Sequence, residues 1–306
     1  MIVVFGSLIA DLVFPVVALP RPGETVASPN VMVIPGGKGA NQAVAAARSG
    51  ADVEMAGSVG ADAFGEMLIA GLADAEVGTD RVARVASPTG CAAVCVDREG
   101  ENQIAIAAGA NLETRSAQVE KDILTARTTL VLQMEVRLDE NWKLIRRARK
   151  AGARVLLNAA PAATVPARSL KLVDYLLVNE VESAMLAGLS GLEDNHPVSV
   201  ARDLAERYST ACIVTLGAGG AVACLADGMW QVNAMPVVAV DATAAGDAFV
   251  GVFAASLDAG GDAVDALHRA SVAGGLACMT AGAQPSLPSA ADIDQRLADL
   301  ASPEKI

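Results

Sequence analysis

From residue 113 onward, short apolar runs alternate along the chain with longer segments in which apolar residues recur at helical spacing. The runs lie at residues 129–133, 154–157, 175–178 and 212–216 and are rich in Val, Leu and Ile, as buried strands are. Helices are expected between these runs. Strands that alternate with helices predict a parallel sheet covered on both faces, which is an α/β architecture.

The N-terminal part of the chain predicts a second, smaller sheet. Residues 1–5 are predicted to form a buried strand, and residues 51–56 a further strand. Residues 12–35 contain β-prone pieces interrupted by prolines, and residues 89–107 suggest a hairpin with its turn at 98–101. Together, the last two segments predict a four-stranded accessory sheet outside the main core.

Composition and charge narrow the possible functions. Apolar residues make up 53% of the 306 residues, which fits a compact protein with a large core. The 35 acidic and 23 basic residues give a net charge of −12, so a nucleic-acid scaffold is not expected. A polyanionic substrate would have to be held by local devices such as Mg²⁺, backbone amides and helix ends.

Cysteine and histidine usage argues against a zinc site and against disulfides. The five cysteines form no C-x-x-C pair, and only His196 and His268 are available, so we expect reduced, mostly buried thiols. The N-terminus has no basic region, and no apolar stretch is long enough to span a membrane. Neither a signal peptide nor a membrane partner is expected, and the cytoplasm is the default location.

The stretch with the clearest chemical signature is DATAAGDAFVG, from Asp241 to Gly251. A β-prone run at 237–240 precedes it, and an apolar, helix-compatible segment follows. Its small residues allow backbone N–H groups to approach an anion at a helix N-terminus. Asp247 lies where a carboxylate could take a proton from a hydroxyl, which outlines a phosphoryl-transfer site. The alternative is an ordinary strand–turn–helix with an Asp cap.

A second glycine-rich segment, PGGKGANQ at residues 35–42, runs directly into an alanine-rich helix. Glycines before a helix allow close approach to a ligand, and Lys38 and Asn41 add a charge and an amide at the same place. The segment lacks the spacing of a Walker A loop. The run GAGG at 217–220 lacks the G-x-G-x-x-G spacing, which disfavours a dinucleotide-binding oxidoreductase.

Polar residues follow the ends of the predicted strands. Asp11 is either a turn residue or a carboxylate that accepts hydrogen bonds from substrate hydroxyls. Ligands of parallel sheets bind beyond the carboxyl ends of the strands. The residues placed at those ends are Glu135, Asn158, Asn179, Glu182, Thr215 and Gly217. Each alone is more often a turn residue or a helix cap, so it is their common placement that predicts a site.

Taken together, these segments resemble the ribokinase-like (PfkB) family of carbohydrate kinases. Residues 35–42 resemble the first family signature and residues 241–251 the second, and N-x-x-E at 179–182, TLG at 215–217 and GAQPS at 282–286 match in the family's order. The resemblance covers the whole chain and is strongest to the ribokinases. It implies a three-layer α/β/α sandwich with a mostly parallel central sheet and a small β-sheet lid. The implied core comprises residues 1–8, 36–88 and 110–306, and the implied lid comprises residues 9–35 and 89–109.

The resemblance also implies roles for individual residues. Asp247 would be the general base on a sugar hydroxyl, and the amides of Ala244, Ala245 and Gly246 would form an anion hole. The residues implied to bind the sugar are Asp11, Gly37, Lys38, Asn41 and Glu135. Those implied for Mg²⁺ and the ATP phosphates are Asn179 and Glu182, and those implied to line the nucleotide site are Thr215, Gly217 and Gly220. A monovalent cation, usually K⁺, would be surrounded by Asp241, Thr243, Ala277, Thr280, Gly282 and Ser286.

Three positions depart from the family pattern. Ile9 stands where ribokinases usually have an Asn that hydrogen-bonds the sugar. Losing such an amide typically costs about 1–3 kcal/mol, and the isoleucine adds an apolar wall. Ala242 replaces the usual Thr of the second signature, and Ala218 replaces a common Ser of the nucleotide-side motif. None of these changes alters Asp247 or the anion hole.

These observations predict an ATP-dependent kinase for a primary hydroxyl of a pentose, with D-ribose to D-ribose 5-phosphate as the best single assignment. The Ile9 departure keeps open a kinase for another sugar or for a nucleoside. A non-catalytic sugar-binding regulator is the alternative from another class, and the intact Asp247 argues against it because a binder has no use for a base. In the ribokinases the lid is also the dimer contact, so the resemblance implies a homodimer.

Overall fold

The structure is a computed structural model, and it describes residues 1–192 and 194–306. Over these residues the chain forms fourteen strands: β1 (Ile2–Phe5), β2 (Ile9–Pro15), β3 (Met32–Gly36), β4 (Val53–Gly60), β5 (Gly78–Val85), β6 (Gly90–Val96), β7 (Asn102–Ala107), β8 (Thr129–Leu132), β9 (Arg154–Asn158), β10 (Tyr175–Asn179), β11 (Ala211–Thr215), β12 (Ala221–Leu225), β13 (Gly228–Val232) and β14 (Glu304–Lys305). The α-helices of the same residues are α1 (Lys38–Arg48), α2 (Ala63–Asp74), α3 (Leu138–Ala151), α4 (Ala167–Leu170), α5 (Glu180–Leu189), α6 (Pro197–Tyr208), α7 (Ala245–Asp258), α8 (Ala263–Ala277), α9 (Ala283–Ser286) and α10 (Ala290–Arg296).

A ten-stranded sheet forms the middle layer of the molecule. Its strand order is β14-β13-β12-β11-β10-β9-β8-β1-β4-β5, and the strands from β11 to β5 in this order are all parallel. β12, β13 and β14 extend one side of the sheet with antiparallel pairs. The predicted α/β sandwich with a mostly parallel central sheet is confirmed. Parallel pairing brings the carboxyl ends of β8 to β11 to one edge of the sheet.

Both faces of the central sheet are buried, because helices cover them. Successive side chains of a strand point to opposite faces, so each strand contributes to two cores. In β1, Ile2 and Val4 pack in the core that contains α1, α7 and α8, whereas Val3 and Phe5 pack in the core that contains α3 and α6. The first core is rich in alanine, so its helices can approach one another closely. Among the helices of the described residues, none is both long and apolar enough to cross a membrane.

A separate four-stranded sheet has the order β3-β2-β6-β7, and its existence was predicted. β6 and β7 form the expected hairpin, and β2 pairs with β3 and with β6. This small sheet is joined to the central layer by short connections. Only residues 6–8 separate β1 from β2, and only Gly37 separates β3 from α1. The division of the chain into a core and a lid at the residues given above stays a prediction.

The predicted strand at 237–240 is wrong. The side chains of Val238 and Val240 are 87% and 66% exposed, and the N–H groups of Val240 and Asp241 donate to the carbonyl oxygen of Cys278. β-branched residues favour a strand only where a neighbouring strand can pair with it, and this run pairs with none in the described part of the chain. The helix that follows begins at Ala245, so Asp247 lies within its first turn.

Candidate active site

A cavity of about 220 Å³ lies beyond the carboxyl ends of β9, β10 and β11, next to the start of α7. This is the edge of the sheet at which the sequence predicted a site. The structure brings together here the predicted residues Lys38, Asn179, Glu182, Thr215, Ala244, Gly246 and Asp247, with Asn158 beside them.

The backbone before α7 is bent at Ala244, which has φ 61° and ψ 6°. This left-handed conformation costs an L-residue about 1–2 kcal/mol. The N–H of Ala245 donates to the carbonyl oxygen of Ala242 at 3.2 Å, whereas the N–H groups of Ala244 and Gly246 have no acceptor among the described residues. Two of the three predicted anion-hole donors are therefore available to a ligand, at the positive end of the helix dipole.

Asp247 is 6% exposed, and both of its carboxylate oxygens accept hydrogen bonds from amide side chains. Nδ2 of Asn41 donates to Oδ2 at 2.9 Å, and Nε2 of Gln42 donates to Oδ1 at 2.9 Å. Neutral amides hold a carboxylate without protonating it, and each oxygen keeps a second lone pair. Asp247 can therefore accept a proton from a hydroxyl placed beside it.

The contact between α1 and α7 depends on Gly251. A Cβ atom at this position would lie 2.6 Å from the carbonyl oxygen of Gln42 and 2.6 Å from Cβ of Ala45. Glycine therefore allows the two helices to touch. Because Gly251 follows Asp247 by one helical turn, the same contact brings the Asp247 carboxylate against Asn41 and Gln42.

Glu135 ties the start of α1 to the end of β8. Gly37 has φ 90°, which glycine adopts readily, and it turns the chain from β3 into α1. Oε2 of Glu135 accepts hydrogen bonds from the N–H of Lys38 at 3.1 Å and from the Ser7 hydroxyl at 2.5 Å. The carboxylate therefore stabilises the positive end of α1, in addition to the sugar-binding role that was predicted for it.

Lys38 is the one cationic side chain among the residues that line the 220 Å³ cavity. The negative charge of Asp247 raises the pKa of Lys38, and Glu135 and Glu182 add to the rise against the effect of burial. Burial raises the pKa of Glu182. The structure places Lys38, predicted as a sugar ligand, beside residues that were predicted for the phosphates.

Asp11 comes from the small sheet rather than the central one. Burial raises the pKa of its carboxyl to about 6, and the charges of Glu135 and Asp247 add to the rise, which shows that Asp11 lies near the same group of acids. Ile9, two residues earlier on β2, is 4% exposed. Side chains two apart on a strand point to the same face, so an apolar side chain stands beside the Asp11 carboxylate.

Asn179 and Glu182 form a capping box at the start of α5. The N–H of Asn179 donates to Oε2 of Glu182 at 2.9 Å, and the N–H of Glu182 donates to Oδ1 of Asn179 at 2.8 Å. The sequence left open whether these residues are caps or site residues, and the structure shows caps that also line the cavity. On the neighbouring strand end, Thr215 leads into a turn whose Gly217 and Gly220 both have positive φ.

Asp241 joins the loop before α7 to the loop after α8. Its Oδ2 accepts the N–H of Gly282 at 2.8 Å, and its Oδ1 accepts the N–H and the hydroxyl of Thr243 at 2.9 and 2.6 Å. The other predicted cation-site residues, at the end of α8 and in the segment that follows, are Ala277, Thr280 and Ser286. No group of three or more His, Cys, Asp or Glu that could hold a metal ion occurs within residues 1–192 and 194–306. The cation site implied by the family resemblance therefore stays a prediction.

A larger cleft, of about 960 Å³, lies at the opposite edge of the central sheet, at the starts of β9, β10 and β11. Both arginines that line it already have partners. Arg149 pairs with Asp174 at 2.7 Å, and Arg154 donates to the carbonyl oxygen of Leu257 at 2.9 Å. None of the predicted site residues lines this cleft. We therefore place the site in the smaller cavity.

The sequence analysis did not single out Gln42 and Gln133, two of the amide side chains behind Asp247. Gln42 bonds to Asp247, Asn158 and Gln133, and it is 1% exposed. One signal could have identified it. Gln42 stands in a helix that is otherwise built from small apolar residues over 43–47, and a polar side chain in a buried helix needs a buried partner.

The chain is similar over nearly its whole length to known kinases. The family described as "pfkB family carbohydrate kinase" matches residues 1–290. A ribokinase of Schizosaccharomyces pombe is 35% identical over 306 residues, which cover 96% of each chain. A deoxyribokinase of Salmonella typhi is 34% identical over 300 residues, which cover 97% of this chain and 98% of the other. The structure of Arabidopsis thaliana ribokinase complexed with ribose and ATP has a TM-score of 0.87 at 30% identity, covering 97% of this chain and 98% of that one.

Proposed function

The chain belongs to the pfkB family of carbohydrate kinases, and from that premise we propose that it transfers the γ-phosphoryl group of ATP to a primary hydroxyl of a pentose, with D-ribose to D-ribose 5-phosphate as the leading assignment. The observation that carries the proposal is the environment of Asp247. A buried carboxylate held by two amides lies in the first turn of a helix, beside backbone N–H groups that are free to bind an anion. The ribokinase relatives favour ribose among the pentoses.

The reaction needs one proton acceptor and one site for negative charge. The Asp247 carboxylate takes the proton of the sugar hydroxyl, and the hydroxyl oxygen forms a bond to the γ-phosphorus of ATP. The bond between that phosphorus and the bridging oxygen of the β-phosphate breaks, and ADP leaves with the electron pair. The N–H groups of Ala244 and Gly246, the dipole of α7 and the ammonium of Lys38 stabilise the charge on the transferring group.

We assign the sugar to the space between β2 and α1. Oδ1 of Asn41 is buried and has no hydrogen-bond partner among the described residues, so it can accept a bond from a sugar hydroxyl. The Asp11 carboxylate can accept further hydroxyl hydrogens. Glu135 and Gly37 hold the start of α1 in place for these contacts.

We assign the nucleotide to the ends of β10 and β11, against Thr215, Gly217 and Gly220. The free oxygen of Glu182 suits Mg²⁺, which keeps several waters and is bound through one or two carboxylates together with substrate phosphates. When bound, Mg²⁺ would neutralise phosphate charge. A monovalent cation, K⁺ by the family resemblance, would be held around Asp241 and would order the loop that carries Ala244.

The small sheet is proposed to act as the lid over the sugar and as the contact of a homodimer. Its support is apolar surface, since Met32, Val33, Ile104 and Ile106 are each at least 40% exposed on this sheet. Sedimentation at several protein concentrations tests the dimer, and a purely monomeric species would contradict it.

The compartment is a separate proposal. Five free cysteines fit a reducing compartment such as the cytoplasm.

A second candidate substrate is a deoxypentose. Ile9 presents an apolar side chain next to Asp11. A sugar hydroxyl placed against it would lack a hydrogen-bond partner, whereas a sugar carbon without a hydroxyl would lose no hydrogen bond there. The similarity to a deoxyribokinase points the same way. A nucleoside or another sugar stays a further alternative on the same ground.

Release of ADP tests both the activity and the substrate. Purified protein with ATP, Mg²⁺ and K⁺ is offered ribose, 2-deoxyribose, hexoses, ketoses and nucleosides. Ribose-selective turnover supports the leading assignment, and selectivity for 2-deoxyribose supports the second. Silence across the panel with sugar binding intact would support the non-catalytic regulator.

Replacing the base tests the mechanism directly. We expect Asp247→Asn to lower kcat by about 10²–10⁴-fold, because a general base contributes about that much. The affinity for nucleotide, measured by calorimetry, should change little. A variant with wild-type turnover would refute the role of Asp247.

A further inference from the structure

Both ends of the Gln42 side-chain amide are hydrogen-bonded. Its Nε2 donates to Oδ1 of Asp247 at 2.9 Å and to Oδ1 of Asn158 at 3.0 Å, and its Oε1 accepts a hydrogen bond from Nε2 of Gln133 at 2.6 Å. The residue is 1% exposed, so water does not compete for these bonds. An amide with both of its ends engaged has one orientation only.

The partners of Gln42 are anchored in the central sheet. Gln133 directly follows β8 and is fully buried, and its backbone carbonyl oxygen accepts a bond from Nδ2 of Asn141 at 2.6 Å. Asn158 ends β9, and its Nδ2 donates to the carbonyl oxygen of Leu177 on β10 at 3.2 Å. The amide of Gln42 is therefore connected to β8 through Gln133, to β9 through Asn158 and, through Asn158, to β10. Oε1 of Gln133 has no partner among the described residues, so the two bonds donated by Gln42 are the ones that fix its orientation.

Asn41, the other donor to Asp247, is held differently. It bonds to Oδ2 at 2.9 Å, but its own Oδ1 lacks a partner in the described part of the chain. Nothing on its acceptor side fixes the orientation of this amide before a ligand arrives. The rigid contact of the Asp247 carboxylate is thus the one through Gln42.

We propose that Gln42 is the positioning residue of the catalytic base, which transmits the geometry of β8, β9 and β10 to the Asp247 carboxylate and keeps one lone pair of that carboxylate aimed at the sugar hydroxyl. The proposal rests on the role of Asp247 given above and adds a residue to it. An amide suits this task because it donates a hydrogen bond to the charged carboxylate and has no acidic proton to give it.

Several charged groups surround this contact and shape any pH profile. Asp11 faces it from β2, Lys38 from α1, Glu135 from the segment after β8 and Glu182 from α5. They are the same in wild type and in Gln42 variants. A difference between two profiles therefore reports the change at Gln42.

Two variants test the inference. Gln42→Met removes all three hydrogen bonds at nearly constant volume. We expect kcat to fall by about 10- to 100-fold, as a base out of position by about 1 Å would give, while KM for sugar and for ATP changes by no more than about threefold. Gln42→Glu places a second carboxylate against Asp247, and two carboxylates at this distance share a proton. We expect the acidic limb of its kcat profile to move to higher pH by about one unit or more, with activity recovering in alkaline buffer.

Gln118→Met is the matched control. The amide of Gln118 donates to the backbone carbonyls of Gly57 and Arg81 and does not line the 220 Å³ cavity, so its removal lowers Tm without touching the base. A Gln42→Met protein that loses Tm as the control does, with wild-type kcat, would overturn the inference, as would an unshifted pH profile for Gln42→Glu. If Gln42→Met does not fold, the nearly isosteric Gln42→Glu still decides through its profile.

Asp247→Asn serves as the reference in the same assay. Loss of turnover in Asp247→Asn with normal turnover and profiles in both Gln42 variants would overturn this inference alone. Normal turnover in Asp247→Asn would overturn the proposed function and this inference with it.

Discussion

Replacing Gly251 with alanine would force apart the two helices that hold the carboxylate of Asp247, the proposed base. The added Cβ would lie 2.6 Å from the carbonyl oxygen of Gln42 and 3.0 Å from the backbone N of Ala46. Atoms in ordinary contact lie about 3.5–4.0 Å apart, so α7 would have to move away from α1 by roughly 1 Å. Both obstructing atoms belong to the backbone of a helix and cannot rotate out of the way.

Two effects with different magnitudes follow from this displacement. Overpacking a dense core typically lowers the free energy of unfolding by about 1–3 kcal/mol. Asp247 lies one turn from Gly251 and would move with α7, and a misplacement of about 1 Å can cost on the order of 100-fold in rate. We expect kcat to fall strongly and KM for ATP to change little, because the proposed nucleotide residues belong to β10, β11 and the segments that follow them.

Urea unfolding and steady-state ADP release measure the two effects. The control is Gly188→Ala on α5, where a Cβ would have no neighbour within 4 Å. Alanine in an open helix position should raise the free energy of unfolding by about 0.5–1 kcal/mol and leave kcat unchanged. A Gly251→Ala protein that behaves like this control would refute the reasoning.

Three further predictions concern the acids, the sugar and the cation. The pKa of Asp11 is raised to about 6 in the folded protein. Between about pH 4 and 6 the folded state therefore holds a proton that the unfolded chain has already lost. As a result, the free energy of unfolding should fall as pH rises through this range. Asp11→Asn should flatten that part of the curve, and an unchanged slope would contradict the assignment. Ile9→Asn should raise kcat/KM for ribose relative to 2-deoxyribose by about tenfold, because one added hydrogen bond contributes about 1.4 kcal/mol. An unchanged ratio would show that residue 9 does not discriminate between the two sugars. Activity should be higher in K⁺ than in Na⁺ at equal ionic strength, and a flat response would discredit the cation site around Asp241.

The pattern of the sequence was sufficient for the parallel part of the fold. Each strand from β8 to β11 is a short apolar run with a polar residue at or just after its end. This pattern is local in the sequence and does not depend on how the strands and helices pack. The antiparallel strands β12 and β13 were not predicted, because a strand that follows GAGG directly resembles the continuation of a loop. The run at 237–240 shows the opposite error, since β-branched residues need a pairing partner that this segment does not have.

Candidate site residues could be named from the sequence more readily than their hydrogen-bond partners. Asp247, Asn41 and Lys38 stand in segments whose glycines and small residues indicate a ligand site. The bond between Asn41 and Asp247 joins residues 206 positions apart, and no local spacing encodes it. The free acceptor on Asn41 and the fixed amide of Gln42 likewise depend on how α1 and α7 pack.

The short connections between the two sheets have a consequence for how sugar affinity is to be interpreted. Asp11 and Ile9 belong to the small sheet, whereas Asn41 and Asp247 belong to helices of the central layer, and few residues join the two bodies. If the small sheet acts as the proposed lid, a sugar that touches both sets of residues bridges them, and its binding free energy includes the free energy of holding the small sheet against the central layer. The measured affinity then reflects two free energies, that of the contacts to the sugar and that of closing the small sheet over it. A change on the outer face of the small sheet, far from any hydroxyl, can weaken sugar binding without removing a single contact to the sugar.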